Sequence, residues 1–192
     1  MDEGLNTFVQ YLTEQEWDVD YPSRRGPAYK ITDYMKGDKT RITPIMTNSE
    51  SLIQFGNNAY GKPATALNIL RETVMGRELF DFAFKEYCDR WAFKHPSPAD
   101  LFRTMEDASA VDLDWYWRGW FFTTDHVDVA LNSVKEYEVK LDSPEDVAKA
   151  KEAKKEAYKR HIGYQRNKDV ETVVKKDSTM KDFYNSYNPD KP

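Results

Sequence analysis

Helical periodicity in the first part of this 192-residue chain is the sequence feature that most constrains its fold. Leu5, Phe8, Val9 and Leu12 recur at the i, i+3, i+4 and i+7 positions of an amphipathic helix. This stripe predicts a helix over about residues 3 to 17. The chain contains 14% aromatic residues, which bury large areas in a core and make a disordered chain improbable. A mainly α fold is therefore expected.

Further helices are predicted from start signals followed by apolar stripes. A proline at a first helical position favours a helix from Pro63 to Gly76, and a second stripe predicts one over about residues 77 to 93. Ser97 is a suitable cap for the next helix, with Asp100 in its first turn. Asp112 is expected to cap a short aromatic helix.

The sequence changes character after Thr124. Alternating residues over 127–131 and 137–141 predict two strands. A Lys/Glu/Ala-rich helix is expected from Ser143 to about residue 160, and a short one over 179–187. We therefore predict two parts, a helical half of a domain over residues 1–124 and a small mixed α/β appendage over residues 125–192, which we expect to be truncated.

Composition excludes some classes of function. The 28 basic and 33 acidic residues are interspersed and give a net charge of −5, unlike the basic stripe of a nucleic-acid-binding protein, so no nucleic-acid partner is expected. No apolar stretch is long enough for a membrane span. The single cysteine, Cys88, cannot form an internal disulfide or a CxxC metal site, and we expect it to be buried.

Glu3 is the first candidate site residue. On a helical wheel it points away from the apolar stripe, on the same polar side as Asn6 and Gln10. Taken alone, a glutamate in a first helical turn is usually a solvated residue that interacts favourably with the helix dipole. Its position therefore does not by itself indicate a functional site.

The segment Asp2-Glu3-Gly4 resembles the Asn-Glu-Gly segment of the aminopeptidase N and leukotriene hydrolase family of zinc metallopeptidases, which are gluzincins. In that family the glutamate is the third zinc ligand, after two histidines of an HExxH helix. Three protein ligands leave a fourth position for a water molecule whose pKa the metal lowers. The resemblance implies that Glu3 is a metal ligand and that the cofactor is zinc.

A second segment, Tyr60-Gly61-Lys62-Pro63-Ala64, resembles the Tyr-x-Lys-Gly-Ala segment of the same family. The resemblance implies that Tyr60 is catalytic and donates a hydrogen bond to the oxyanion of the tetrahedral intermediate. Pro63 stands where the family usually has glycine. Softer matches extend the resemblance over about residues 1 to 125, which implies the helical C-terminal subdomain of a thermolysin-like catalytic domain.

Two family elements are absent from the sequence. It contains no HExxH, because His95, His126 and His161 are all isolated, and it has no Gly-Ala-Met-Glu-Asn strand. We therefore expect a fragment of an aminopeptidase-like protease that acts on peptides. Its partner would be the N-terminal part of the same domain, and zinc would be absent or weakly bound in this chain. The chain alone is expected to be inactive and to associate through apolar surface that truncation exposes.

An alternative from another class is a non-catalytic helical module that binds a peptide or a partner domain. It explains the missing histidines without truncation. The coding sequence upstream of Met1 distinguishes the two hypotheses, because the family has its HExxH shortly before the ligand glutamate.

Overall fold

The computed structural model describes residues 1–125, 133, 135–136 and 143–181. Contacts divide the chain into two compact units, residues 1–126 with 171–192 and residues 127–170. Over the described residues the protein is mainly helical, as predicted, and contains no strand. No helix in this part of the chain is long and apolar enough to cross a membrane.

Nine α-helices lie within the described residues. In chain order they are α1 (Asp2–Trp17), α2 (Thr32–Lys36), α3 (Lys62–Ile69), α4 (Arg77–Trp91), α5 (Pro98–Ser109), α6 (Asp114–Trp117), α7 (Pro144–Tyr158), α8 (Ile162–Asn167) and α9 (Val173–Lys176). Three π-helical turns adjoin them, at Gly56–Gly61, Leu70–Val74 and Arg118–Phe122. Short 3₁₀ turns cover Ala28–Ile31, Lys39–Arg41, Ser49–Ser51 and Ser178–Lys181.

Two predicted helix starts are confirmed by their capping contacts, and a third is corrected. At the start of α5, the Ser97 backbone N–H donates to Asp100 Oδ2 over 2.7 Å, which completes a capping box. Asp112 does not cap α6, because the cap residue is Leu113; the Asp112 carboxylate instead accepts from the Asp114 backbone N–H over 3.1 Å in the turn before the helix. At α7, Ser143 Oγ accepts from the Asp146 backbone N–H.

The predicted start of the second helix lies one residue from the start of α3, which begins at Lys62 and has Pro63 in its first turn. The prediction missed the π-helical turn over Gly56–Gly61, which runs directly into α3. Pro63 has no backbone N–H and cannot donate to the carbonyl four residues before it. The wider register of the preceding turn suits this gap, since the Lys62 backbone N–H donates to the Asn57 carbonyl, five residues earlier.

The core of the first unit is built around α3, against which α1 packs. Phe8 of α1 is fully buried and makes edge contacts with Phe80 and Phe84, at centroid distances of 5.5 and 5.7 Å. The Tyr116 hydroxyl donates to the Ala66 carbonyl over 2.7 Å and joins α6 to α3. Cys88, expected in the core, lies instead on the exposed side of α4.

The second unit has little apolar burial in its described part. Helix α7 contains no buried residue, in agreement with its thin alanine stripe. At α8 the His161 ring caps the helix, because its Nδ1 accepts from the Tyr164 backbone N–H over 3.1 Å. The two predicted strands, over 127–131 and 137–141, lie outside the described residues, as does most of the predicted helix over 179–187.

Candidate functional site

Glu3 and Tyr60, which are far apart in the sequence, lie together in the structure. Glu3 is half-buried in the first turn of α1, and Tyr60 is half-buried in the π-helical turn before α3. A hydrogen bond from the Tyr60 hydroxyl to the Glu3 carboxylate is the main reason why the pKa of Tyr60 is raised above its ordinary value. The two predicted site residues therefore form one polar contact.

Gly4 explains how α1 comes so close to α3. A Cβ atom added at Gly4 would lie 2.4 Å from Cγ of Pro63 and 3.3 Å from the Ala59 carbonyl oxygen. Only a residue without a side chain allows this approach. Because Glu3 precedes Gly4 and Tyr60 is three residues before Pro63, the same contact brings the carboxylate to the hydroxyl.

The π-helical turn that carries Tyr60 is anchored by Asn58. Asn58 is fully buried; its side-chain oxygen accepts from the Tyr34 hydroxyl, and its side-chain amide donates to the Ile53 carbonyl. Burial is the main cause that raises the pKa of Tyr34 to about 12. These contacts join the π-helical turn to α2, through Tyr34, and to the segment that precedes the turn, through Ile53.

Two side chains hold the Tyr60 ring. Phe55 meets it edge-on at a centroid distance of 5.6 Å, and the Arg25 guanidinium carbon lies 4.8 Å from its centroid. Sequence reasoning missed Arg25, because the Tyr21 to Pro27 segment indicated only a break in regular structure. An arginine among turn residues does not indicate in the sequence which aromatic ring it will contact.

Lys62 is a second group that the sequence did not indicate as unusual. Its side chain is completely buried, and the Nζ atom donates to the Thr123 carbonyl over 3.4 Å. Burial disfavours the charged form and lowers the pKa of Lys62 to about 8. Lys62 lies two residues after Tyr60, at the start of α3. Its contact with Thr123 joins α3 to the end of the π-helical turn at Arg118–Phe122.

The metal-binding groups near Glu3 are incomplete for zinc. Zinc in a protein requires at least three nitrogen, sulfur or oxygen ligands from side chains. Among the described residues, Glu3 belongs to no group of three histidine, cysteine or acidic side chains within ligand distance of one another. His95 is exposed, His161 caps α8, and His126 lies outside the described residues. Within the part of the chain that the structure describes, Glu3 is thus a single carboxylate with no further ligand group at ligand distance.

One acidic group elsewhere has the spacing of a metal site. Glu106, Asp112 and Asp114 bring their oxygens within 4.8 Å of one another. Two of these carboxylates already accept backbone N–H groups, Glu106 from Leu113 over 2.8 Å and Asp112 from Asp114. The contacts are those of a helix start, and exposed acidic groups of this kind are common without an ion.

A groove lies between α5 and α6 on the same unit. Its volume is about 560 Å³, and its walls include the exposed rings of Trp115 and Phe122 together with Arg103 and Arg118. Cavities of this size can accept a small ligand or a peptide side chain. No predicted site residue lies on its walls.

Comparisons with known proteins found no matching family model, no matching curated protein and no matching solved structure.

Proposed function

We propose that this chain is part of an aminopeptidase-like zinc metallopeptidase, in which Glu3 supplies one metal ligand and Tyr60 stabilises the oxyanion. The close approach of Gly4 to Pro63 and Ala59, which brings the Glu3 carboxylate to the Tyr60 hydroxyl, carries this proposal. It joins the two segments that resemble the family, although they are 57 residues apart. A solvated first-turn glutamate would not require a tyrosine at its carboxylate.

Each residue has a defined part in the proposal. The Glu3 carboxylate offers an oxygen ligand, and bound zinc would act as a Lewis acid towards water and a substrate carbonyl. The Tyr60 phenol is protonated at neutral pH and can donate to a developing oxyanion. Its ring is held by Phe55 and Arg25, so the hydroxyl is directed before substrate arrives.

The proposal requires ligands that the chain does not contain. The two histidines and a general base must come from an HExxH helix that reaches Glu3. With a single carboxylate, the chain alone should bind zinc weakly and hydrolyse no peptide. Calorimetric titration with zinc chloride tests this, and tight stoichiometric binding by the chain alone would contradict it.

Substitution of Tyr60 is the main test of the catalytic role. In a polypeptide that joins this chain to an HExxH helix, Tyr60→Phe should retain stoichiometric zinc and lose about 100-fold or more in kcat for peptide hydrolysis. Glu3→Gln should instead lose zinc. Tyr29→Phe is a suitable control, because Tyr29 is an exposed tyrosine of the same unit. Unchanged turnover in Tyr60→Phe would remove Tyr60 from the mechanism.

A non-catalytic binding module is the second candidate function. The groove between α5 and α6 favours it, because the large apolar side chains of Trp115 and Phe122 are 62% and 52% exposed there. The module hypothesis predicts peptide binding that is independent of zinc and is weakened by Trp115→Ala. The peptidase hypothesis predicts that Trp115→Ala leaves zinc content and turnover unchanged.

A further inference from the structure

The segment from Tyr21 to Pro27 is fastened to α1 on both sides of Arg25. Ser23 is buried, and its hydroxyl accepts from Gln15 Nε2 of α1 over 3.3 Å. Gly26 is buried at a positive φ of 114°, and a Cβ atom there would lie 2.4 Å from Cγ of Tyr11. Such a position accepts only glycine without strain. Arg25 is therefore presented by an anchored segment.

Arg25 is directed at the Tyr60 ring but is not neutralised there. Its guanidinium covers the ring face, and it makes no ion pair with a carboxylate within the described part of the chain. It lies close enough to Tyr60 for its charge to act on the phenol. Gly56 lies beside the guanidinium, since a Cβ atom added there would be 3.6 Å from Nη2, an ordinary contact distance.

A half-exposed guanidinium with free donors is suited to one kind of ligand. Its planar N–H groups match the two oxygens of a carboxylate, and the pair is strengthened by charge. Glu3 is an acidic group at the same tyrosine, but it accepts from the hydroxyl end of the ring, whereas Arg25 covers the face. A second carboxylate can thus approach Arg25 without displacing the Glu3 contact.

We propose that Arg25 is a specificity-determining residue that binds a carboxylate of the peptide handled at Glu3 and Tyr60. The proposal rests on the proposed function for its substrate class, and it adds the preference for an acidic group. The carboxylate can come from a C-terminus or from an aspartate or glutamate side chain, because both present the same pair of oxygens.

Binding by the full chain tests the proposal without any need for zinc or turnover. The probes are N-acetyl-L-alanine, with an α-carboxylate, N-acetyl-L-aspartic acid α-amide, with a side-chain carboxylate, and N-acetyl-L-alaninamide, which is neutral. The Arg25 Nε–Hε signal in ¹⁵N NMR should shift with at least one acidic probe and not with the amide. The acidic probe that binds more tightly identifies the source of the carboxylate.

Matched variants distinguish a specific effect of Arg25 on probe binding from a general effect of positive charge. Arg25→Gln should weaken binding of the acidic probe at least 10-fold, and Arg25→Lys should give an intermediate affinity, because it keeps the charge and loses the planar fork. Arg24→Gln is the control, since Arg24 is the exposed neighbour on the same segment. Equal weakening by both glutamine variants, or equal binding of the neutral amide, would overturn the proposal.

Turnover gives an independent readout in a polypeptide that joins this chain to an HExxH helix. Because Arg25 also holds the Tyr60 ring, Arg25→Gln can slow both peptides. It should raise KM for a carboxylate-bearing peptide at least 10-fold more than KM for its amidated counterpart, because only the first peptide loses the carboxylate contact. Equal losses for both peptides would show that Arg25 only positions Tyr60, and the proposal would be wrong. If Tyr60→Phe leaves turnover unchanged but the acidic probe still requires Arg25, the proposed function fails and the carboxylate site stands.

Discussion

At the scale of single residues, the buried ammonium of Lys62 has the clearest energetic consequence. Its pKa is about 8 in the folded chain and 10.5 in the unfolded chain, so the folded state binds this proton less tightly. Lys62 therefore lowers the free energy of unfolding, and this penalty has its full size below about pH 8. It disappears as the pH rises through 10.5. The shift corresponds to about 3 kcal/mol at most.

Lys62→Met should remove this pH-dependent penalty. We expect the variant to be more stable than the wild-type chain at pH 7 by about 1–3 kcal/mol, because methionine fills a similar volume without a charge. The difference should shrink between pH 8 and pH 10. Urea unfolding at several pH values measures it, with Lys36→Met as the exposed control. A difference that does not change with pH would contradict the prediction.

The close approach at Gly4 predicts a second residue-scale effect. Gly4→Ala should destabilise the chain by about 1–3 kcal/mol, because the new methyl group would overlap the ring of Pro63. Gly119→Ala is the matched control, since a Cβ there meets nothing within 4 Å and alanine favours a helix. Thermal unfolding of both variants measures the effect. Similar melting temperatures for the two variants would contradict the prediction, because they would show that α1 and α3 can move apart without loss of stability.

At the scale of elements, a network of charges joins the π-helical turn at Leu70–Val74 to α4. Glu72 is almost completely buried and accepts from Arg77 Nε over 2.9 Å and from Arg71 Nη1 over 3.1 Å. Arg71 also makes a bidentate pair with Asp81 of α4. Burial of the acid with two guanidinium groups fixes the angle between the two helical segments.

Glu72→Gln should weaken this junction. We expect a loss of about 2–4 kcal/mol in the free energy of unfolding, because two largely buried arginines would lose their shared charge partner. Glu78→Gln, an exposed acid in the first turn of α4, should change it by less than about 0.5 kcal/mol. Guanidinium-induced unfolding, followed by circular dichroism, compares them. A loss no larger than that of the control would mean that the network contributes nothing.

The spacing of apolar residues predicted the positions of the long helices, but it did not predict the π-helical turns. Over α1 and α4 the 3.6-residue period and the aromatic stripe predicted bounds close to the observed ones. The turn at Gly56–Gly61 has few apolar residues, and a glycine- and asparagine-rich segment ordinarily indicates a loop. Its helical form depends on Tyr34 and on the contact of Gly4 with Pro63, which no local pattern contains.

At the scale of the whole molecule, exposed aromatic side chains bear on association. Phe55, beside Tyr60, is 53% exposed, and Val9 of α1 is 42% exposed. We predict that the chain self-associates through exposed apolar side chains, among them Phe55. Phe55→Ser should shift the light-scattering mass towards the monomer, whereas Phe93→Ser, on a turn elsewhere, should not. A monomeric wild-type chain at high concentration would contradict the prediction.

The candidate site shows how much of the molecule the sequence can predict. Glu3 and Tyr60 were identified by resemblance, and the structure brings them together. Arg25 and Lys62 were not identified as site-related, because one lies on a segment without periodicity and the other looks like an ordinary surface lysine. Their surroundings come from distant parts of the chain, at Tyr60 and at Thr123.

The contact of Gly4 with Pro63 also makes two distant positions dependent on each other. Alanine at position 4 is excluded by a ring at position 63, so a smaller residue at 63 should make room for it. Pro63→Gly should therefore restore part of the stability lost in Gly4→Ala, and the two effects should be far from additive in a double-mutant cycle. A residue larger than glycine at position 4 should therefore be tolerated best in a chain whose residue 63 is smaller than proline, because the carboxylate and the phenol can then still meet.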